Sequence, residues 1–252
     1  MHLNKNVTFM RFEFFLLFLF ALFAVGAVAI HIISRKKEKP QKIGAWKKFF
    51  VYFFIIYSVF LSILYVPILF RAICFLVALG GVFEIVRLQL KHNQRLALSK
   101  FCLYLSVYIV LAVLFLFFAF ENVEIQILTV FAVGTFDAFS QLSGQLFGKR
   151  KIAPRISPNK TLGGLIGGAC SALVLGIIAN FNSGFGIIHV IILIFFVVVA
   201  SFTGDLLASY VKRQYAVKDY GSLLPGHGGI LDRFDSLIAA GAVMFLLKLI
   251  CL

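Results

Sequence analysis

Polar surface is what this 252-residue chain has least of. Only 13% of its residues are charged and 62% are hydrophobic; with a mean hydropathy of +1.01, it cannot cover a water-soluble globule. Acid is scarcest of all: 10 Asp and Glu stand against 24 Lys and Arg, for a net charge of +14. That charge would suit a nucleic acid, but there is no basic module interleaved with aromatics, and the cations fall between apolar runs. Nucleic acid is therefore not expected as a partner. The four cysteines, Cys74, Cys102, Cys170 and Cys251, are single and widely spaced inside apolar stretches, which points away from a disulfide framework or a zinc site. Internal repeats and low-complexity linkers are missing too, so residues 1–252 read as a single membrane domain.

What the chain does have is a series of apolar runs near the about 20 residues a bilayer core requires. Eight are candidate spans: Phe14–Ser34, Phe49–Ile68, Ala72–Val86, Phe101–Phe120, Ile125–Phe147, Leu162–Asn180, Ile187–Leu207 and Leu237–Leu252. The expected fold is all-α, a polytopic membrane protein with about eight transmembrane helices. The third run is short, and is read as tilted or as part of a hairpin with the second.

The segments Arg35–Lys48, Arg87–Lys100, Lys149–Lys160 and Lys212–Arg233 hold 20 of the 24 Lys and Arg. Between them lie loops almost free of cations, one of them carrying Glu121 and Glu124. The positive-inside rule makes the four basic segments cytoplasmic and puts both termini outside, although Lys5 and Arg11 run against that orientation. Cleavage after Ala27-Val28-Ala29 would make the first run a signal peptide, but it would also send a seven-cation loop outside, so retention is the expectation. Arg35–Lys48 is either a topology determinant or a surface that attracts anionic headgroups at about 1 kcal/mol per cation.

The most polar stretch is Thr203–Ser236, which sets Asp205, Lys212, Arg213, Lys218, Asp219, His227, Asp232, Arg233 and Asp235 between apolar runs. Carboxylates alternate there with cations around Pro225-Gly226-His227-Gly228-Gly229, a turn able to bring backbone N–H groups close to an anion. Asp232 and Asp235 are three residues apart at the entry to a final helix and project from nearly one face. If the segment folds back, Asp205 and Asp232 can converge on one hard cation such as Mg²⁺, with phosphate and water completing its shell. Asp137, Glu84 and Asp205 lie within apolar runs, where a charge facing lipid costs on the order of 2.5 kcal/mol or more; they should face a cavity, or for Glu84 a helix–helix hydrogen bond. Ser157-Pro158-Asn159-Lys160-Thr161 is expected to open the sixth helix, whose free N–H groups would favour an anion. Gly163, Gly164, Gly167 and Gly168 form small-xxx-small pairs that suit close helix packing, with a substrate-facing role as the alternative.

Ser209 to Asp235, S-Y-V-K-R-Q-Y-A-V-K-D-Y-G-S-L-L-P-G-H-G-G-I-L-D-R-F-D, resembles the signature of the phosphatidate cytidylyltransferases (CDP-diacylglycerol synthases) in residue type and spacing. Gly144 to Thr161 is similar to that family's upstream cytosolic segment. The resemblance covers roughly the catalytic half, residues 125–252, and is weaker over residues 1–124.

The resemblance implies transfer of a cytidylyl group from CTP to phosphatidate or a related lipid phosphate in a bacterial inner membrane, with the site facing the cytoplasm. It implies Mg²⁺ on Asp205 and Asp232, with a second cation left open. Lys212, Arg213, Lys218, His227, Arg233 and Asp235 would complete the catalytic set, the cations acting as phosphate clamps. Asp137, Ser157, Lys160, Ser209, Asp219, Gly228 and Gly229 would bind substrate. Partners are CTP, the lipid phosphate and membrane lipids; a homodimer is left open. Departures from the family pattern occur at Ser140, Gln145, Gly163 and Ala208, around the expected lipid and nucleotide pocket. The alternatives are a CTP-dependent enzyme acting on another lipid phosphate or a polyprenol, a transporter, and an inactive membrane scaffold.

Overall fold

A computed structural model of the chain describes residues 2–35, 38–91, 96–180, 185–221 and 228–251. Among these are eight α-helices: α1 (His2–Ser34), α2 (Lys39–Tyr65), α3 (Pro67–Lys91), α4 (Leu98–Phe118), α5 (Val123–Phe147), α6 (Leu162–Asn180), α7 (Ile187–Gln214) and α8 (Leu231–Cys251). Seven are long and apolar enough to cross a membrane. The exception is α8, whose 21 residues include Asp232, Arg233, Asp235 and Lys248. The protein is thus a helical polytopic membrane protein. Its bands of exposed Phe, Leu, Ile and Val side chains, such as Phe75, Leu76 and Leu79 on α3, or Ile188 and Phe195 on α7, suit a surface solvated by lipid tails.

Two compact units make up the chain, Met1–Val66 and Pro67–Leu252. In the first, α1 packs on α2. The Tyr57 hydroxyl donates to the Leu16 carbonyl at 3.1 Å, and Phe23 meets Phe53 edge to face at 5.0 Å. Arg35–Lys48, expected as a loop, is largely helical, because α2 already begins at Lys39 with proline in its first turn, where the missing N–H costs nothing.

In the second unit the helices run longer than the apolar runs that announce them. The short third run belongs to a full 25-residue helix that starts on Pro67. Similarly, α7 continues past its apolar part to Gln214, so Lys212 and Arg213 lie in its last turn and not in a loop. Cations there complement the negative end of the helix dipole.

Helix α8 packs against α3, α4, α5 and α7. Every residue from Ser236 to Ala242 is buried. Ala239, Ala240, Gly241 and Ala242 keep its surface low, and a Cβ at Gly241 would lie 2.7 Å from Phe115 and 2.9 Å from Phe118 of α4. A helix with three charges at its start is thus placed where protein surrounds it. The α5–α6 contact is equally close. A Cβ at Gly164 would come within 2.7 Å of the Ser140 carbonyl, and one at Gly168 within 2.8 Å of the Phe136 carbonyl. These glycines therefore serve helix packing, the first of the two readings open in the sequence.

One part of the fold is not helical. Strands β1 (Lys151–Ala153) and β2 (Ser157–Thr161) pair antiparallel, Lys151 opposite Thr161 and Ala153 opposite Ser157. This corrects the expectation that Ser157–Lys160 opens α6. The backbone before Pro158 is biased to extended conformations, and the helix begins only after Thr161, whose hydroxyl accepts the Gly164 N–H at 3.1 Å as a local cap. Ser157 therefore sits at the end of the ribbon away from the start of α6.

Candidate active site

The C-terminal end of α7, the start of α8, the ribbon, α3 and the middle of α5 bring charged side chains into the protein's interior. Two lysine–aspartate pairs organise them. Lys160, the penultimate residue of β2, places its ammonium 2.6 Å from Asp205 of α7 and 4.7 Å from the centre of the Phe202 ring, one helical turn ahead of Asp205. The other Asp205 oxygen accepts the Ser209 hydroxyl at 3.2 Å, again one turn away on the same face.

The second pair lies deeper. Lys212, in the last turn of α7, meets Asp232, in the first turn of α8, at 2.7 Å, with only 10% and 3% of their side chains exposed. The second Asp232 oxygen accepts the backbone N–H groups of Tyr220 at 2.8 Å and Gly229 at 2.9 Å. So enclosed a carboxylate is tolerable only with both oxygens directed at donors, and this arrangement supplies three donors. Gly228 supports the approach with φ of +87°, which a side chain would resist. A Cβ there would also lie 3.0 Å from Asp232.

Asp137 of α5 stands beside Ser236 and within electrostatic reach of Lys160, Asp205 and Asp235. Asp235 keeps its Oδ1 on the N–H of Ser236 at 2.8 Å. Asp137, Asp205 and Asp235 thus share one region, with Lys160 and Lys212 as the near cations. Asp137, expected to face a cavity, stands among these charged and polar groups.

Arg213 donates to the carbonyls of Ile156 at 3.0 Å and Val217 at 2.7 Å, fastening the ribbon's turn to the end of α7. Lys218, Asp219 and Arg233 are exposed and Ser157 is half-buried. His227 lies outside the described residues, with Pro225 and Gly226. Two further participants are Tyr220, whose role carries no sequence signal, and Glu84, for which a helix–helix hydrogen bond is one of the two expectations. The hydroxyl of Tyr220 donates to the Ala208 carbonyl at 3.0 Å. Burial, followed by the nearby charges of Asp235 and Asp232, holds its pKa well above the usual tyrosine value, so it remains a donor. Glu84, wholly enclosed, accepts the N–H groups of Ile230 and Leu231, both at 2.9 Å. Its partner is the backbone at the start of α8, which no side-chain pattern reveals.

A hard divalent cation takes carboxylate, phosphate and water oxygens. Asp205 suits one once the Lys160 ammonium moves: its side chain is 33% exposed, its other oxygen holds only the Ser209 hydroxyl at 3.2 Å, and the carboxylates of Asp137 and Asp235 stand near it. Asp232 already has donors on both oxygens and shares Oδ1 only if the Lys212 ammonium moves. Among the described residues no group of three or more His, Cys, Asp or Glu side chains is preassembled around a point. The donors therefore fit a cation that arrives with phosphate oxygens better than one held by protein alone.

A polytopic helical membrane protein with lysines and aspartates gathered at the ends of two inner helices is the class that fold and site define. The sequence model of the cytidylyltransferase family matches residues 5–251, and the chain belongs to that family. Over 111 residues it is 46% identical to the phosphatidate cytidylyltransferase of Brucella abortus (strain 2308), covering 44% of this chain and 41% of that one. It is 38% identical over 122 residues to the phosphatidate cytidylyltransferase of Rickettsia felis, with 45% and 54% covered. To that of Bacillus subtilis (strain 168) it is 47% identical over 104 residues, with 40% and 39% covered. The chain thus spans roughly two fifths to one half of the length of the curated relatives it matches.

Proposed function

We propose that the protein transfers the cytidylyl group of CTP to phosphatidate or a closely related lipid phosphate, giving CDP-diacylglycerol and pyrophosphate. Family membership and the names of the relatives support the reaction. The observation that carries it to these residues is the meeting of Lys160 with Asp205 at 2.6 Å, which brings the first stretch that resembles the family against the helical turn that leads into the second, at Ser209.

In the reaction a phosphate oxygen of the lipid attacks the α-phosphorus of CTP, and the bond to the β-phosphate oxygen breaks as pyrophosphate departs. The attacking oxygen is already anionic, so no strong base is needed. The work is to hold two polyanions in line and offset the charge that develops on the leaving group. Lys160 and Lys212 would bind phosphate oxygens, with Arg213, Lys218 and Arg233 as outlying cations and Ser157, Ser209, Asp219 and His227 lining the approach. Asp205 and Asp232 would hold a divalent cation, Mg²⁺ by its oxygen preference, and it would supply charge neutralisation. Asp137 and Asp235 would tune the field around Asp205. The exposed cations Lys149, Arg150, Lys151 and Arg155 beside the ribbon favour a cytoplasmic site in an inner membrane, where CTP arrives from water while the acyl chains stay in lipid.

The test is product formation by purified protein in detergent with CTP, phosphatidate and Mg²⁺, read by mass spectrometry beside Asp232→Asn. CDP-diacylglycerol that requires the lipid, disappears with chelator and is absent in the variant is the expected result. A phosphorylated lipid without the cytidine would replace this reaction with a kinase, and unchanged product in Asp232→Asn would remove the site assignment.

A further inference from the structure

Glu84 is the one acidic residue of α3 and is 0% exposed. The first N–H groups of a helix lack partners in their own helix and form the positive end of its dipole. A local Ser, Thr, Asp or Asn usually satisfies them. Here Ile230, just before α8, has no polar side chain, and the acceptor comes from 146 residues upstream. Both Glu84 oxygens take one N–H each, from Ile230 and Leu231 at 2.9 Å.

The same turn is held from its other side by Asp232, which accepts the next N–H back, that of Gly229, at 2.9 Å. The backbone from Gly229 to Leu231 is thus clamped between two carboxylates. There is no spare room: a Cβ at Gly229 would strike both Glu84 oxygens, and one at Gly221 would lie 2.9 Å from the nearer. Five residues further along α3, Gln89 accepts the Tyr215 hydroxyl at 2.6 Å and donates to the Leu96 carbonyl at 3.2 Å. That fixes the chain just beyond Lys212. One helix without any lysine–aspartate pair of its own therefore holds both helix ends that carry the Lys212–Asp232 pair.

We propose that Glu84 is a positioning residue of the site, one that sets the start of α8 and through it the carboxylate of Asp232. Its kinetic consequence rests on the cytidylyltransferase reading; its structural consequence does not. The experiment compares wild type, Glu84→Gln and Glu84→Ala in detergent by amide hydrogen exchange, thermal unfolding and steady-state kinetics with CTP, phosphatidate and Mg²⁺. The amide variant keeps the volume and one acceptor, so it tests the role even if Glu84→Ala fails to fold.

Expected for Glu84→Gln is exchange about tenfold faster in peptides spanning 228–232 with α5 and α6 unchanged. A kcat lowered at least about tenfold should accompany it, with KM for CTP within about threefold of wild type. Unchanged exchange at 228–232, acceleration spread evenly over all helices, or wild-type kcat despite a loosened turn would each overturn the proposal. If wild type makes no CDP-lipid, the cytidylyltransferase reading fails on that result, and the exchange pattern still decides the role of Glu84.

Discussion

Lys212 and Asp232, 20 residues apart in sequence, close at 2.7 Å between the end of α7 and the start of α8, with the aspartate side chain only 3% exposed. Removing one partner of such a pair leaves an uncompensated charge in a place water cannot reach. Lys212→Met should therefore destabilise the protein by about 3 kcal/mol or more, seen as a lower unfolding midpoint in detergent. Lys212→Met/Asp232→Leu should recover much of that stability while remaining inactive. An inactive but fully stable Lys212→Met would mean that the pair serves ligand binding alone.

The Lys160–Asp205 pair should behave differently although it is no longer. Its side chains are 18% and 33% exposed, and a pair open to solvent contributes about 0–1 kcal/mol. Lys160→Met should hardly move the unfolding midpoint and should raise KM for CTP, with kcat/KM falling at least about tenfold. A large loss of stability with an unchanged KM would make the pair a fastener of the ribbon and not a nucleotide contact.

Tyr220 offers a pH test. Its folded pKa lies above the ordinary tyrosine value because burial, then the Asp235 and Asp232 charges, disfavour the phenolate. A raised pKa means that the folded state holds the proton more tightly. The stability it contributes is complete below about pH 10 and is lost as pH rises through the folded value. Tyr220→Phe should cost about 1 kcal/mol through the lost bond to Ala208 and should leave the activity profile between neutrality and pH 9 unchanged. A new alkaline limb in the variant would show that the phenol takes part in proton transfer.

The spans were legible because about 20 apolar residues in a row have few fates in a chain this poor in charge. Leu162–Asn180 emerges as α6 with the expected bounds. Hydropathy marked the apolar length of α7 but stopped at Leu207, since it is blind to a helix that continues past its apolar run while its last-turn cations suit the dipole. The stretch Thr203–Ser236 was legible as a candidate site, because clustered acid in a chain with 10 acidic residues is costly unless used. The partner of each carboxylate was not. Asp232 is satisfied largely by backbone N–H groups, and so is Glu84; backbone donors look the same at every position of a sequence. The ribbon was missed for a related reason. The string Ser157–Thr161 carries a cap signal for a helix, but the capping residue is Thr161, and the residues before it are free to pair as a strand.

The α5–α6 contact allows a test of packing separate from charge. Lipid tails are as apolar as the helices, so association of these helices depends on close fit. At Gly168 an added methyl would sit 2.8 Å from the Phe136 carbonyl and 2.8 Å from the Ser140 Cβ. One of those atoms is backbone and cannot rotate away, so the helices must separate. Gly168→Ala should cost about 1–3 kcal/mol, whereas Val174→Ala, at a side chain 56% exposed on the same helix, should change stability by less than about 0.5 kcal/mol. Because α5 also carries Asp137, and β2 with Lys160 runs directly into α6, the separation should lower kcat/KM even at temperatures where Gly168→Ala remains folded. Paired unfolding and rate measurements on the two variants check this. Equal midpoints would mean that α5 and α6 slide to make room, and that the close approach at Gly168 is not what holds them.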